Sequence, residues 1–271
     1  MSTMRYIPHE VSLSYAVRAR CRVLGALILR EIHTRFGREN LGYIWLFVEP
    51  ALLGLGVAIW RTMAGGDSSM PGSMNKFAFF IIGYIVFYLF RTLVNRSPNG
   101  IEANFQLFYH SKVTVEAVML ARSLLDTAAV MVCVAIFSIL IGLFEGHWPN
   151  DPLQMAAGMV MMFALAHGLG LLILSATAMG SQLVDRLVHP FTYLMLPFSG
   201  MFYMVWWMPG PYQEVLLWVP LVHIMEFTRE GQFGLGVPYH YSLGYLFSWI
   251  IGLNFLGLCA LKAAKPHFET T

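Results

Sequence analysis

The sequence is poor in charged residues, which make up only 12% of its 271 positions. Soluble domains carry about 25% charged residues, whereas hydrophobic residues fill 57% of this chain and its mean hydropathy is +0.62. This balance argues against an ordinary soluble domain and predicts a protein that crosses a membrane several times. Cysteine is also scarce. The three cysteines are an odd number, so we expect small buried apolar residues rather than a disulfide framework.

Sequence motifs for catalysis are missing as well. The chain has no glycine-rich phosphate loop ending in Lys-Ser/Thr, no His-Glu-x-x-His, no Cys-x-x-Cys and no Gly-x-Ser-x-Gly elbow. We therefore expect no catalytic site, no metal site and no cofactor bound by this chain. The apolar stretches also lack the charged residues expected of an ion-coupled transporter. An energy source for transport would have to come from a partner.

Six apolar stretches are each close to the roughly 20 residues that cross a hydrocarbon core. They cover residues 41–63, 77–95, 118–144, 153–179, 189–208 and 243–262. With the N-terminus in the cytoplasm, the only lysines and arginines left outside are Arg61, Lys76 and Arg229. The positive-inside rule then places both termini in the cytoplasm. The sequence predicts one all-α integral membrane domain over residues 1–271, inserted without a cleavable signal peptide.

Residues 11–36 precede the first span and form a basic amphipathic segment. Apolar residues recur three and four positions apart from Val17 to Phe36, and Arg18, Arg22 and Arg30 lie off that stripe. A basic helix too polar to span is expected to lie in the headgroup layer. Packing on a partner domain is the alternative, and the two positions are compatible.

The cytoplasmic loop between the second and third spans is rich in aromatic residues. Ser-Pro-Asn-Gly at 97–100 stops the preceding helix, and a short helix can follow over residues 98–110. This helix would display a set of large side chains to the cytoplasm: Phe105, Leu107, Phe108 and Tyr109. The rings either tuck back against the bundle or dock into a partner, and the residues favour neither.

Prolines interrupt residues 209–241 on the outer side. The apolar pieces 215–219 and 221–225 are each too short to span, which predicts re-entrant or interfacial half-helices. Such pieces suit the rim or gate of a pathway. Three glutamates are expected to face the outer water: Glu214, Glu226 and Glu230.

Single polar residues carry weaker predictions. Glu49, followed by Pro50 in the first span, is expected either to pair with a nearby arginine or to contact a substrate. Arg122 and Asp126 stand four residues apart, a spacing that predicts a local ion pair on one helix face. Arg91 is expected to extend to the inner headgroups, with lipid-phosphate binding as the alternative.

Three stretches together resemble a known family. They are Leu-Arg-Glu-Ile-His-Thr-Arg-Phe-Gly at 29–37, Leu-Gly-Tyr-Ile-Trp at 41–45 followed by Glu49-Pro50, and residues 219–234. They resemble the permease subunits of type-two ABC exporters, and most closely the subunit that exports capsular polysaccharide or O-antigen. With six spans and inner termini, the resemblance covers nearly the whole chain. The joint pattern is specific to the superfamily. It is specific to capsule export only in degree.

The resemblance implies a homodimer in the bacterial inner membrane that works with two copies of a cytosolic ATPase, where ATP and Mg²⁺ bind. The implied cargo is capsular polysaccharide on a lipid anchor, with O-antigen, teichoic acid or a hydrophobic small molecule as alternatives. A periplasmic co-polymerase and an outer-membrane exporter are further implied partners, and nucleic acid is not. An integral-membrane enzyme acting on lipids, the competing class, would need clustered polar groups that the sequence does not show.

The resemblance also assigns roles to particular residues. Residues 11–36 would be the interface helix. The coupling helix seated in the ATPase would present Ile101, Glu102, Asn104, Phe105, Leu107, Phe108 and Tyr109. The path for sugars and the lipid anchor would be lined by Arg35, Arg38, Tyr43, Trp45, Glu49, Tyr84, Tyr88 and Arg91. There, rings would stack on sugar faces and arginines would hold a phosphate. The periplasmic gate would comprise Trp218, Pro220, His223, Glu226 and Arg229.

Overall fold

The computed structural model describes residues 13–36, 74–109 and 113–269, together with single positions and short pieces between 48 and 63. Over these residues the chain forms helices joined by short turns, without a strand. The long helices are α1 (Leu13–Phe36), α2 (Lys76–Asn95), α3 (Val115–Glu145), α4 (Pro152–Ala178), α5 (Gln182–Phe198) and α8 (Leu243–Glu269). Two shorter helices, α6 (Gly210–Leu216) and α7 (Pro220–Phe233), lie between α5 and α8. The 3₁₀ helices are Pro98–Gly100, Glu102–Tyr109 and Val205–Trp207.

Among the described helices, four are long and apolar enough to cross a membrane: Lys76–Asn95, Val115–Glu145, Pro152–Ala178 and Leu243–Pro266. These helices coincide with four of the predicted spans to within a few residues, and that they cross a membrane stays a prediction. The first predicted span, 41–63, lies largely outside the described residues, although its described positions are helical. The predicted interface helix corresponds to α1, and its position at a membrane surface stays a prediction.

The predicted bounds of the fifth span, 189–208, are wrong. The helix α5 begins at Gln182 and ends at Phe198. Gly200 follows in the left-handed region with φ of +81°, which turns the chain and allows no helix to continue. Hydropathy does not reveal this turn, because Met201 and Met204 beyond it are apolar and fully buried.

The helix α2 is the centre of the bundle. Phe79, Ile85 and Leu89 have no exposed surface, and the helix contacts α3, α4, α5 and α7. Its N-cap is Asn75, whose side chain accepts a hydrogen bond from the Ala78 N–H at 2.8 Å. Since lipid is as apolar as these side chains, close packing rather than escape from water holds such helices together.

The cysteines only partly match the expectation of small buried residues. All three are free, and Cys133 is buried, whereas Cys21 and Cys259 are exposed. The expectation was wrong for Cys259 because an apolar run does not distinguish a face that meets lipid from one that meets the bundle. Cys21 lies between Arg20 and Arg22 of the basic segment and not in an apolar run.

Candidate coupling segment, outer helices and transport path

The predicted coupling segment is a pair of 3₁₀ helices fixed to its neighbours through Asn104. This residue leaves the helical region (φ −127°, ψ 16°) and is buried. Its Nδ2 donates to the Gly100 carbonyl at 3.0 Å, and its Oδ1 accepts from Arg30 Nη1 of α1 at 3.4 Å. The Thr177 hydroxyl of α4 donates to the Pro98 carbonyl at 3.4 Å. The segment therefore has a base attached to both α1 and α4.

The large side chains of the segment do not share one direction. Leu107 and Phe108 are half-buried and pack with Leu27 of α1 and Val118 of α3. Of the two alternatives left open by the sequence, these two side chains follow the first and pack back against the bundle, because α1 provides an apolar surface that partly covers them. Phe105 is 41% exposed, as predicted.

The exposed surface of the segment combines polar and apolar side chains. Glu102, Phe105 and Gln106 are exposed, while Ile101 packs against Val115 of α3 and other buried residues. The side chain of Tyr109 lies outside the described residues. One aromatic ring on a fixed base, with polar neighbours, suits insertion into a cleft of another protein.

Two ion pairs connect helices near this end of the bundle. Arg96, which caps α2, places Nη1 2.8 Å from Oδ1 of Asp126 on α3, whose side chain is only 3% exposed. Arg122 of α3 places Nε 3.5 Å from Oε1 of Glu31 on α1. The sequence predicted a pair within α3, whereas the structure pairs each residue with another element. Spacing along one helix carries no signal for such contacts.

The predicted path residues are only partly described. Tyr84 and Tyr88 are buried in α2, with ring centroids 6.5 Å apart. The Arg91 guanidinium lies 5.5 Å from the centroid of Tyr88 and 5.6 Å from that of Tyr193 on α5. This distance suits a cation–π contact and joins α2 to α5. Four path candidates lie outside the described residues: Arg38, Tyr43, Trp45 and Glu49. The side chain of Arg35 also lies outside them. A role of these residues in transport stays a prediction.

On the outer side, Glu226 does not face water as predicted. It is 1% exposed, and its carboxylate accepts from the Val205 N–H at 3.0 Å and from the His240 N–H at 3.1 Å. Burial raises the pKa of Glu226, while these hydrogen bonds and nearby Arg229 act in the opposite direction. The carboxylate connects α7 to the turns on both sides of it. Glu214 is exposed, as predicted.

The other gate candidates differ in exposure. Arg229 is fully buried among carbonyl groups, and His223 is 4% exposed. The His223 ring donates from Nε2 to the Leu217 carbonyl at 2.8 Å and accepts at Nδ1 from the Ser242 N–H at 3.0 Å. These two bonds require the neutral ring, and burial lowers its pKa. Among the five candidates, Trp218 is the most exposed, at 78%.

Pro220 is the remaining gate candidate, and it stands at the first position of α7. A helix start tolerates proline, since the missing N–H has no partner there. It separates α7 from α6, so this region contains two separate helices within the predicted bounds 209–241. Their depth in the membrane and their gating role stay predictions.

The described helices include four with the length and composition of membrane spans, and the described residues contain no cluster of three metal-ligating side chains. Residues 22–233 match the model of the ABC-2 type transporter family, and the chain belongs to that family. The family predicted from the sequence is therefore confirmed.

Several characterised relatives are similar over nearly their whole length. The capsule polysaccharide export inner-membrane protein BexB of Haemophilus influenzae is 34% identical, over 92% of this chain and 93% of that protein. The corresponding protein CtrC of Neisseria meningitidis serogroup B is 33% identical, over 96% and 98%. The polysialic acid transport protein KpsM of Escherichia coli is 34% identical, over 91% and 95%.

Proposed function

We propose that this chain is the membrane-spanning subunit of an ATP-driven exporter of capsular polysaccharide in the bacterial inner membrane. Support comes from membership of the ABC-2 transporter family and from relatives whose names specify capsule polysaccharide export. The subunit acts as a homodimer with both termini in the cytoplasm. ATP and Mg²⁺ belong to two copies of a separate ATPase, and a periplasmic co-polymerase and an outer-membrane exporter complete the route.

The strongest support for a coupling role is the ring of Phe105, exposed on a base held by Asn104 and Arg30. The ring enters a cleft of the ATPase, and the half-buried Phe108 carries the resulting push to α1 and α3. A segment that was loosely attached would absorb this displacement. Hydrogen bonds to α1 and α4 favour transmission instead.

Homodimer formation is supported by the exposed apolar stripe on α5. Five large residues recur three or four positions apart and are each at least 38% exposed: Leu183, Leu187, Phe191, Leu194 and Phe198. This period places them on one helix face. The stripe packs against a second copy of the chain in the proposed dimer. The transport path then lies between the two copies.

The cargo is a glycan on a lipid anchor. Arg91, close to Tyr88 and Tyr193, supplies a positive charge for an anchor phosphate near the inner side. The same architecture serves O-antigen, teichoic acid or a hydrophobic small molecule, which are the alternative cargos. Restoration of surface polysaccharide in a cell that lacks its own capsule permease, followed by chemical analysis of the glycan, separates these cargos.

The coupling role is tested with Phe105→Asp, which places a charge on the exposed ring position. We expect loss of ATPase co-purification and of capsule export, because the cleft must then bury an unpaired carboxylate. The matched control is Leu235→Asp, since Leu235 is 87% exposed at a distant loop. Full ATPase association by Phe105→Asp would show that this ring does not dock.

A further inference from the structure

A cavity of about 310 Å³ lies at the end of the bundle opposite the coupling segment. It is bounded by the start of α2, the last turns of α3, the connection after α3 and the end of α7. Its polar lining consists of Asn75, Ser138, His147, Trp148, Asn150 and Gln232. The helix α2 starts beside this cavity and ends before the coupling segment, so its 20 residues separate the two by about 30 Å. None of the described lining residues belongs to the coupling segment or is one of the named path or gate candidates, although Gln232 and Phe233 lie within the predicted outer region 209–241.

The walls of the cavity are held by hydrogen bonds between distant parts of the chain. The Asn150 N–H donates to the Gln232 carbonyl at 3.2 Å, and the Asp151 N–H donates to the Gly231 carbonyl at 2.7 Å. Gln232 Nε2 donates to the Ala78 carbonyl at 3.0 Å. The connection after α3 is thereby attached to α7, and α7 to α2. A cavity with such walls is a preformed site.

The indole ring of Trp148 packs against Gly142. A Cβ atom added at Gly142 would lie 2.6 to 2.7 Å from three atoms of the indole, so the ring rests face-on against this glycine. Any larger residue at 142 would displace the ring. Trp148 is nevertheless 58% exposed while it borders the cavity. It therefore presents a large, positioned aromatic surface at the entrance.

The lining matches a neutral ligand with many hydroxyl groups. Amide side chains both donate and accept hydrogen bonds, and three line the cavity. Asn75 is held by the Ala78 N–H and by Glu145, and Gln232 Nε2 is held by the Ala78 carbonyl. The exposed Asn150 is therefore the amide best placed to meet a ligand. Among the described residues that line the cavity there is no lysine or arginine, and phosphate and carboxylate ligands are typically held by such cations. The carboxylate of Glu145 lies next to this lining, where it accepts a hydrogen bond from Asn75 Nδ2. An aromatic surface beside amide groups suits the apolar C–H face and the hydroxyl rim of a sugar ring.

We propose that this cavity is an exit subsite that binds one neutral saccharide unit of the exported chain on the outer side. The inference rests on the proposed export of a glycan. Trp148 stacks on the sugar ring, and the Asn150 amide and the Ser138 hydroxyl meet its hydroxyl groups. The volume is at the lower end of the roughly 300–1,000 Å³ typical of small-molecule sites, which suits a single ring. The rest of the polymer remains outside the cavity.

The test uses the full-length chain in lipid nanodiscs and saturation-transfer difference NMR. The probes are oligosaccharides of a few sugars, released by partial hydrolysis from the capsule of the same bacterium, with inorganic phosphate as the competitor. We expect binding to the unmodified protein and affinity lower by roughly twofold to tenfold for Trp148→Ala, because the stacking surface is lost. Tyr212→Ala, which removes an exposed aromatic residue that does not line the cavity, should bind as the unmodified protein does. Phosphate should not compete.

Ser138→Phe provides a second variant that keeps Trp148 and fills the cavity, and it decides the question where Trp148→Ala is poorly folded. Equal binding by Ser138→Phe and the unmodified protein overturns the proposal, as does competition by phosphate. A cross-link from Trp148→Cys to a periplasmic protein, without oligosaccharide binding, assigns the cavity to a protein segment and also overturns it. Absence of oligosaccharide binding with intact ATPase association and export refutes the saccharide site alone. Loss of ATPase association and export in the unmodified protein refutes the exporter.

Discussion

Replacing Arg229 with methionine is expected to destabilise the outer half of the bundle, because several backbone carbonyl groups lose their donor. Nη1 donates to the carbonyls of Gly200 at 2.5 Å and Tyr203 at 2.6 Å, and Nη2 donates to that of Met201 at 2.6 Å. The guanidinium carbon lies 3.8 Å from the centroid of the Phe79 ring in α2. One side chain thus fixes the turn after α5 to α7 and to the core.

The size of the effect follows from these contacts. A hydrogen bond from a charged donor contributes about 1.5–3 kcal/mol, and each buried carbonyl left without a donor costs about 1–3 kcal/mol. The contributions of the three hydrogen bonds are not additive. Removal of the buried charge also recovers part of the lost stability, because the charge no longer has to be desolvated. We therefore expect Arg229→Met to lower the free energy of unfolding by about 3–5 kcal/mol. Arg229→Lys should recover only part, since an ammonium lacks the planar fork of donors.

Thermal and denaturant unfolding in detergent, followed by tryptophan fluorescence, measures this loss. Arg186→Met is the matched control, because Arg186 is an exposed arginine on α5. An Arg229→Met protein within about 1 kcal/mol of the unmodified one would refute the anchoring role, since surface substitutions remain near that range. If that stable protein also exported less polysaccharide, Arg229 would be a gate residue, as the sequence predicted.

Three further predictions concern buried polar contacts. Arg96→Ala should lower the free energy of unfolding by about 1–3 kcal/mol. This loss is smaller than for a fully buried ion pair, because the Arg96 side chain is 39% exposed. Adding Asp126→Asn in a double-mutant cycle should restore most of the lost stability. Because burial lowers the pKa of His223 in the folded protein, its neutral ring contributes to folding stability above pH 6.5. This contribution is lost as the pH falls below 6.5. Unfolding curves of His223→Gln should therefore show a weaker loss of stability between pH 7 and pH 5, while an unchanged slope would exclude this histidine. Asn104→Ala should leave ATPase association intact but lower export relative to ATP hydrolysis in proteoliposomes; an unchanged ratio would exclude Asn104 from coupling.

The long helices could be predicted from the sequence because a continuous apolar run has one physical meaning in a membrane protein. A helix such as α2 is apolar all round, and α8 has an apolar surface although little of it is buried by the described bundle. Hydropathy reports both as spans, without distinguishing bundle from lipid. The same limitation explains the exposed Cys259 and the misplaced end of α5, where apolar residues continue through a turn.

Charged residues were placed less well, because a local pattern shows where a charge is and not what it contacts. Glu226 and Arg229 lie in a segment rich in proline and polar groups, which suggests water. Backbone N–H and carbonyl groups exposed by the turns around α7 provide their partners instead. Asp126 likewise meets Arg96, 30 positions earlier in the chain. Such partners appear only when the elements are packed together.

The contacts of α1 explain how one helix can serve both ends of a transport stroke. Arg30 contacts the coupling segment through Asn104, and its neighbour Glu31 contacts Arg122 of α3. Adjacent residues of a rigid helix cannot move independently, so displacement of the coupling segment must shift α1 and strain the contact with α3. The pair at 3.5 Å is longer than a strong charged hydrogen bond, which leaves it adjustable. The helix α1 therefore connects the predicted coupling segment to α3.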